Sequence, residues 1–161
     1  LGADPPIIDA TKDNDYDRLR GLLLKGGNAN TTTPNGETGL ILATKSEDVV
    51  VMELLLEHGA KVDWQDSLGN SALFYAIINH AYEMVEFLLE NGASPDTQNR
   101  HGETPMMVAA RSGDQEISQM LLDQGADLTL RDYTGRGVLD HARESRNSRM
   151  EAFFRSAGAS D

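Results

Sequence analysis

The sequence predicts an all-α solenoid of stacked helix-turn-helix units with projecting β-hairpin-like loops, and three observations predict it. Gly26, Gly59, Gly92, Gly125 and Gly158 stand 33 residues apart, and Ala10, Ala43, Ala76, Ala109 and Ala142 keep the same spacing. A leucine pair, Leu55-Leu56, Leu88-Leu89 or Leu121-Leu122, precedes three of those glycines. A unit of that length cannot bury its apolar face alone, so it must stack on copies of itself. Function is therefore expected on an extended surface. The 161 residues hold about five such periods, read as one domain over 1–161 with units at 1–32, 33–65, 66–98, 99–131 and 132–161.

Each unit follows from its own residues. In 1–32, Asp9 and Lys12 flank Ala10, Gly21 replaces a core leucine, and Asp13, Asn14, Asp15 and Asp17 leave the edge polar, which suits an N-terminal cap. In 33–65, Leu40 shares a helical face with Ala43, and Val51 with Leu54 and Leu55, so residues 37–58 form a helical hairpin. Residues 70–91 and 103–124 repeat the pattern. Met52, Leu55, Val85, Leu88, Leu121 and Leu122 supply bulk to the seam, while the periodic alanines let neighbouring backbones approach. The glycine after each second helix fits a left-handed position where a Cβ is costly. Segments 60–69 and 93–102 are polar and turn-rich, as projecting loops require. In 132–161, Gly137-Val138-Leu139-Asp140 breaks the usual helix start, and Arg143, Arg146, Arg149 and Arg155 cover both helices, which marks a C-terminal cap.

Composition narrows the function classes. With 39% hydrophobic residues, no long apolar run and no cysteine, neither a membrane span, a secretory leader nor a disulfide framework is expected. An intracellular monomer, cytoplasmic or nuclear, is the expectation. Because the chain starts at Leu1, it reads as a segment of a longer protein. A net charge of −12 repels phosphate backbones and disfavours nucleic acid. From Asp66 to Gln98 there are five acids and no Lys or Arg; this stretch either steers basic partner segments or is a solvated face. Motifs for metalloprotease, nucleotide-binding and serine-hydrolase chemistry are missing, and His58, His80, His101 and His141 fall at different places in their units. No enzyme, metal or cofactor is expected. His141 adjoins Asp140, but helix neighbours do not face each other.

Three segments align on the period as Gly36-Glu-Thr-Gly-Leu40, Gly69-Asn-Ser-Ala-Leu73 and Gly102-Glu-Thr-Pro-Met106. Together with Thr104-Pro105-Met106-Met107-Val108-Ala109 and the closes Leu55-Leu56-Glu57-His58-Gly59-Ala60, Leu88-Leu89-Glu90-Asn91-Gly92-Ala93 and Leu121-Leu122-Asp123-Gln124-Gly125-Ala126, this resembles the ankyrin repeat over nearly the whole chain. The resemblance implies a non-catalytic protein-protein interaction module that binds a peptide or protein segment on its concave face and loop tips. The alternative is a scaffold or regulatory domain of a larger enzyme, channel or secreted effector. Phe74, Tyr75 and Met107 replace the histidine-containing part of the motif, so the loops are expected to be less rigidly joined. Asn30 begins an Asn-Thr-Thr sequon and stands where the family can be hydroxylated; turn formation, shared with Asp63 and Asp96, is its favoured role.

Mapped onto this chain, the implied contact positions at the tips include Leu68, Asn70, Arg100, His101, Glu103, Tyr133 and Arg136, and those at the ends of the first helices include Ile78, Asn79 and Arg111. Tyr75 is a secondary candidate. Trp64, Leu68, Ile78 and Tyr133 are apolar at usually polar places and are read as one patch, with Trp64 packed across its own hairpin as the alternative. The expected partner is another protein or peptide with apolar anchors and basic flanks.

Overall fold

The computed structural model describes residues 2–161. Among them, ten helices form five antiparallel hairpins: α1 (Pro6–Lys12) with α2 (Tyr16–Leu24), α3 (Gly39–Lys45) with α4 (Val49–Glu57), α5 (Ala72–Ile78) with α6 (Tyr82–Glu90), α7 (Pro105–Ser112) with α8 (Gln115–Asp123), and α9 (Val138–Glu144) with α10 (Met150–Ser156). Odd-numbered helices pack in one layer, each on the next, and even-numbered helices form a looser second layer. The five periodic alanines are buried in the first layer, where a side chain of one methyl lets helices close on each other. Met52, Leu55, Val85, Leu88 and Leu121 are buried in the second; Leu122 is only partly covered. One hydrophobic core runs through all five units. No helix among the described residues is long and apolar enough to cross a membrane.

Local chemistry ends the helices where they must turn. Asp15, Asp48 and Asp114 cap α2, α4 and α8 by accepting the N–H of Arg18, Val51 and Ile117. The equivalent residue at α6 is Ala81, which offers no side-chain cap. The five periodic glycines are left-handed, with φ between 82° and 105°. The inner turns also need positive φ, and they obtain it from Asn14, Glu47 and His80 at 54°, 56° and 51°, then from Gly113 at 73°.

The projecting loops are joined in three columns. Backbone bonds link successive tips: Ser67 N–H to Asn35 O at 2.9 Å, Arg100 N–H to Leu68 O at 3.1 Å, and Tyr133 N–H to His101 O at 3.0 Å. The Gln65 and Gln98 amides each bond a carbonyl of their own loop and one 33 residues further on. Asn30, Asp63 and Asp96 accept the backbone N–H of Lys61, Ser94 and Asp127 at 2.8, 3.0 and 2.8 Å. All three stand in turns, as read from the sequence, and their side chains in addition tie one unit to the next. Asn30 also donates its amide to Gly59 O. Only one antiparallel bridge, Thr32 with Thr38, accompanies these loops among the described residues.

Candidate functional site

Each tip is organised by one short side chain. Asp66 Oδ1 accepts the N–H groups of Leu68 and Asn70 at 2.9 and 3.0 Å. One and two periods further, Asn99 does the same for His101 and Glu103, and Asp132 for Thr134 and Arg136. These side-chain turns hold the tip folded back over its helix. The second carboxylate oxygen is gripped from the first helix below. Tyr75 donates its hydroxyl to Asp66 Oδ2, and at the equivalent place His141 Nε2 lies 2.9 Å from Asp132 Oδ2. Two of the loops are therefore pinned from the helix below despite the lost motif histidine, whereas no side chain of α7, where Met107 stands at the motif position, bonds Asn99. Burial and the bond to Asp66 push the Tyr75 hydroxyl up to about 12. Burial works against ionising Asp132, but hydrogen bonds from Thr134, Arg136 and His141 prevail and hold it well below the usual carboxylate range.

Inside the tips runs a second periodic feature. Lys45 pairs with Glu37, Arg111 with Glu103, and Arg136 with Glu144, in each case a tip residue with the end of its first helix. In the middle unit the same two positions are Asn70 and Ile78. The column of ion pairs is broken there, and Ile78 and Leu68 stand 49% and 59% exposed. They line a cavity of about 200 Å³ whose buried floor is Phe74 and Val108 and whose far wall carries His101 and Arg111. All of its residues come from tips and first helices.

The cavity brings together Leu68, Asn70, Ile78, His101, Glu103 and Arg111 of the sequence-derived set. Tyr75 is not part of the lining; the Lys45 ammonium of the preceding unit lies 4.1 Å from its ring centroid. Arg100 is exposed next to Leu68 on the tip ladder, and its side chain has no hydrogen-bond or ionic partner among the described residues. Asn79, exposed at the end of α5, and the paired Arg136 stand outside the lining. Trp64 and Tyr133 do not line this cavity either. The Trp64 indole is half-buried with the Lys61 ammonium 5.8 Å from its centroid. Tyr133, 71% exposed, lies against Gly102, where an added Cβ would come within 2.5 Å of its ring. Of the expected four-residue patch, the cavity joins only Leu68 and Ile78.

The acidic stretch is also placed differently from the expectation. Asp66 is buried within its turn, and Glu83, Glu86 and Glu90 belong to α6 in the second layer. Glu86 and Glu90 line a separate depression against α8 with Met120 and Asp123. None of the five acids of that stretch, Asp96 included, lines the cavity, although Asp66 Oδ1 is bonded to two of its lining residues, Leu68 and Asn70.

His141 faces Asp132 instead of its chain neighbour. Arg111 donates to Glu103 and, at 3.2 Å, to His141 Nδ1, so the imidazole hydrogen is on Nε2 and is donated to Asp132. Partial burial works against ionised Glu103, but the Arg111 guanidinium prevails and keeps it below the usual range. A buried acid and imidazole in contact are the raw material of a catalytic pair. Here they do the work that Tyr75 and Asp66 do two units earlier, and both imidazole nitrogens are already bonded. No group of three His, Asp or Glu placed to hold a metal occurs among the described residues.

Stacked helical hairpins with bonded tips and one hydrophobic core running through every unit define an α-solenoid repeat protein. The chain belongs to the ankyrin-repeat family: the model for ankyrin repeats (3 copies) matches residues 7–99, and that for ankyrin repeats (many copies) matches residues 80–122. No curated protein matches the chain. Ankyrin repeats are in general protein-protein interaction modules and are typically non-catalytic.

Proposed function

We propose that the concave side holds a segment of another protein, with one of its apolar side chains seated between Leu68 and Ile78. The observation that carries this reading is the break in the ion-pair column. Units on both sides close their edge with opposite charges, whereas the middle unit spends the same two positions on Asn70 and an exposed Ile78. The fold gains nothing from that exposure, since Ile78 projects from the end of α5 while the buried seam lies elsewhere. A volume of about 200 Å³ is below the roughly 300–1,000 Å³ of small-molecule pockets and suits one or two side chains. Burying one aliphatic side chain there contributes about 1.5 to 3 kcal/mol, enough to anchor a segment held otherwise by weak polar contacts.

The test restores the missing pair. Wild type and Asn70→Glu/Ile78→Lys are used to capture partners from the native lysate, and cross-links are mapped onto the bound protein. Capture that maps to tips and first helices and is lost in the variant, with its circular dichroism unchanged, is the expected result. Equal capture by both proteins overturns the reading.

A further inference from the structure

We infer that the segment bound in this groove is acidic beside its apolar anchor, with a carboxylate read by Arg100. The inference rests on the groove reading above and adds the partner's charge. It departs from the basic flanks expected of the sequence, because none of the acids behind that expectation lines the cavity. Asp66 is closed inside its turn, and Glu83, Glu86 and Glu90 are on α6, away from the tips and first helices that build the groove.

What remains near the groove is an uneven set of charges. Glu37, Glu103 and Glu144 are paired with Lys45, Arg111 and Arg136 respectively, which leaves those cations fewer free donors for a partner. Arg111 is further committed to His141 Nδ1. Arg100 alone among the tip and groove cations has no side-chain partner among the described residues. Its position is specific: its backbone N–H bonds Leu68 O at 3.1 Å, so the free guanidinium and the apolar break occupy adjoining tips. His101, next in the chain, lines the cavity itself. A guanidinium offers five donors in a fixed plane and fits a carboxylate in bidentate fashion. The rest of the molecule sharpens the choice. On a chain of net charge −12, an acidic segment needs an unpaired cation at its contact, and Arg100 supplies one on the tip that adjoins Leu68.

A displayed library of random twelve-residue peptides, panned on wild type, Arg100→Glu and Asn70→Glu/Ile78→Lys, separates this claim from the one beneath it. Arg100 is exposed and unbonded, so its reversal leaves folding intact, which circular dichroism checks. The wild-type pool is expected to share an apolar residue with Asp or Glu close by. The Arg100→Glu pool keeps the apolar residue and loses the acid. A synthetic peptide from the wild-type pool then binds Arg100→Glu about fivefold or more weakly by fluorescence anisotropy, with the gap narrowing at high salt. A wild-type pool that is apolar but neutral or basic, or an unchanged affinity on Arg100→Glu, overturns the acidic partner and leaves the groove standing. A pool that Asn70→Glu/Ile78→Lys enriches equally, or no binder at all, overturns the groove and this inference with it.

Discussion

The middle unit and the one after it bury the same core and differ at their edges. Ala76 and Ala109, and Leu88 and Leu121, occupy equivalent places and are equally buried. At the edge, however, Glu103 and Arg111 correspond to Asn70 and Ile78, and the helix cap Asp114 corresponds to Ala81. The seam admits few side chains because neighbouring units must fit into it. The edges are tolerant, so a unit that exchanges charge there for exposed apolar surface does so for reasons outside its own folding.

That comparison breaks most visibly at the seam. Leu88→Ala and Leu121→Ala should each cost about 2 to 5 kcal/mol in denaturant unfolding, because each leaves a cavity between packed layers. A loss below about 1 kcal/mol at either site would show that the two seams are not equivalent.

The pinned tips come next. Tyr75→Phe removes one hydrogen bond and should cost about 1 kcal/mol near neutral pH. Its pH dependence is more telling. With the folded value raised to about 12 above the ordinary tyrosine value, the contribution is complete below about pH 10 and is lost as pH rises towards 12. The variant should lack that alkaline limb. Asp132 has the opposite sign: its folded value is lowered, so its contribution is present above about pH 4 and disappears as pH falls further. Thermal melts between pH 2 and 5 should therefore be flatter for Asp132→Asn than for wild type.

The inner turns sharpen the comparison further. Glu47 is exposed, makes no side-chain hydrogen bond among the described residues, and holds a left-handed conformation that Gly113 adopts two units later. Glu47→Gly should stabilise by about 0.5 to 1 kcal/mol, the relief of left-handed strain outweighing glycine's greater entropy loss. His80→Gly should gain less, since His80 Nδ1 lies 2.7 Å from Asp114 Oδ2 and that contact goes with the ring. Equal gains would mean that the contact contributes nothing. The smallest effect belongs to Asn70→Glu/Ile78→Lys, whose stability should stay within about 0.5 kcal/mol of wild type.

Legibility in the sequence followed from how tightly each position is constrained. Gly59 and Leu88 recur because a positive φ and a filled seam leave few alternatives, so the repeat and its hairpins could be read directly. Leu68 and Ile78 were visible as apolar residues at polar places. Trp64 carried the same signal without lying in the groove, because hydropathy does not report which way a side chain faces. The acids from Asp66 to Gln98 were legible only as a sum, for a related reason: a window of sequence counts charge, while the two helix layers sort it onto different sides. Tyr75 with Asp66, and His141 with Asp132, left a trace that was missed, namely two polar partners nine residues apart that recur after two periods. The broken ion-pair column was legible in the same way, by comparing units position by position.

Because successive tips are bonded backbone to backbone at three junctions, the array is also a mechanical object. A pull on its ends loads the junctions in series, and the hydrogen bonds across a tip must part before the unit beyond it can peel away. One unit, once detached and drawn out, releases roughly 110 to 120 Å of chain, several times the thickness of a packed helix layer. Extension under tension should therefore come in steps of about one unit, and a partner spanning the middle junctions would act as a clasp across them.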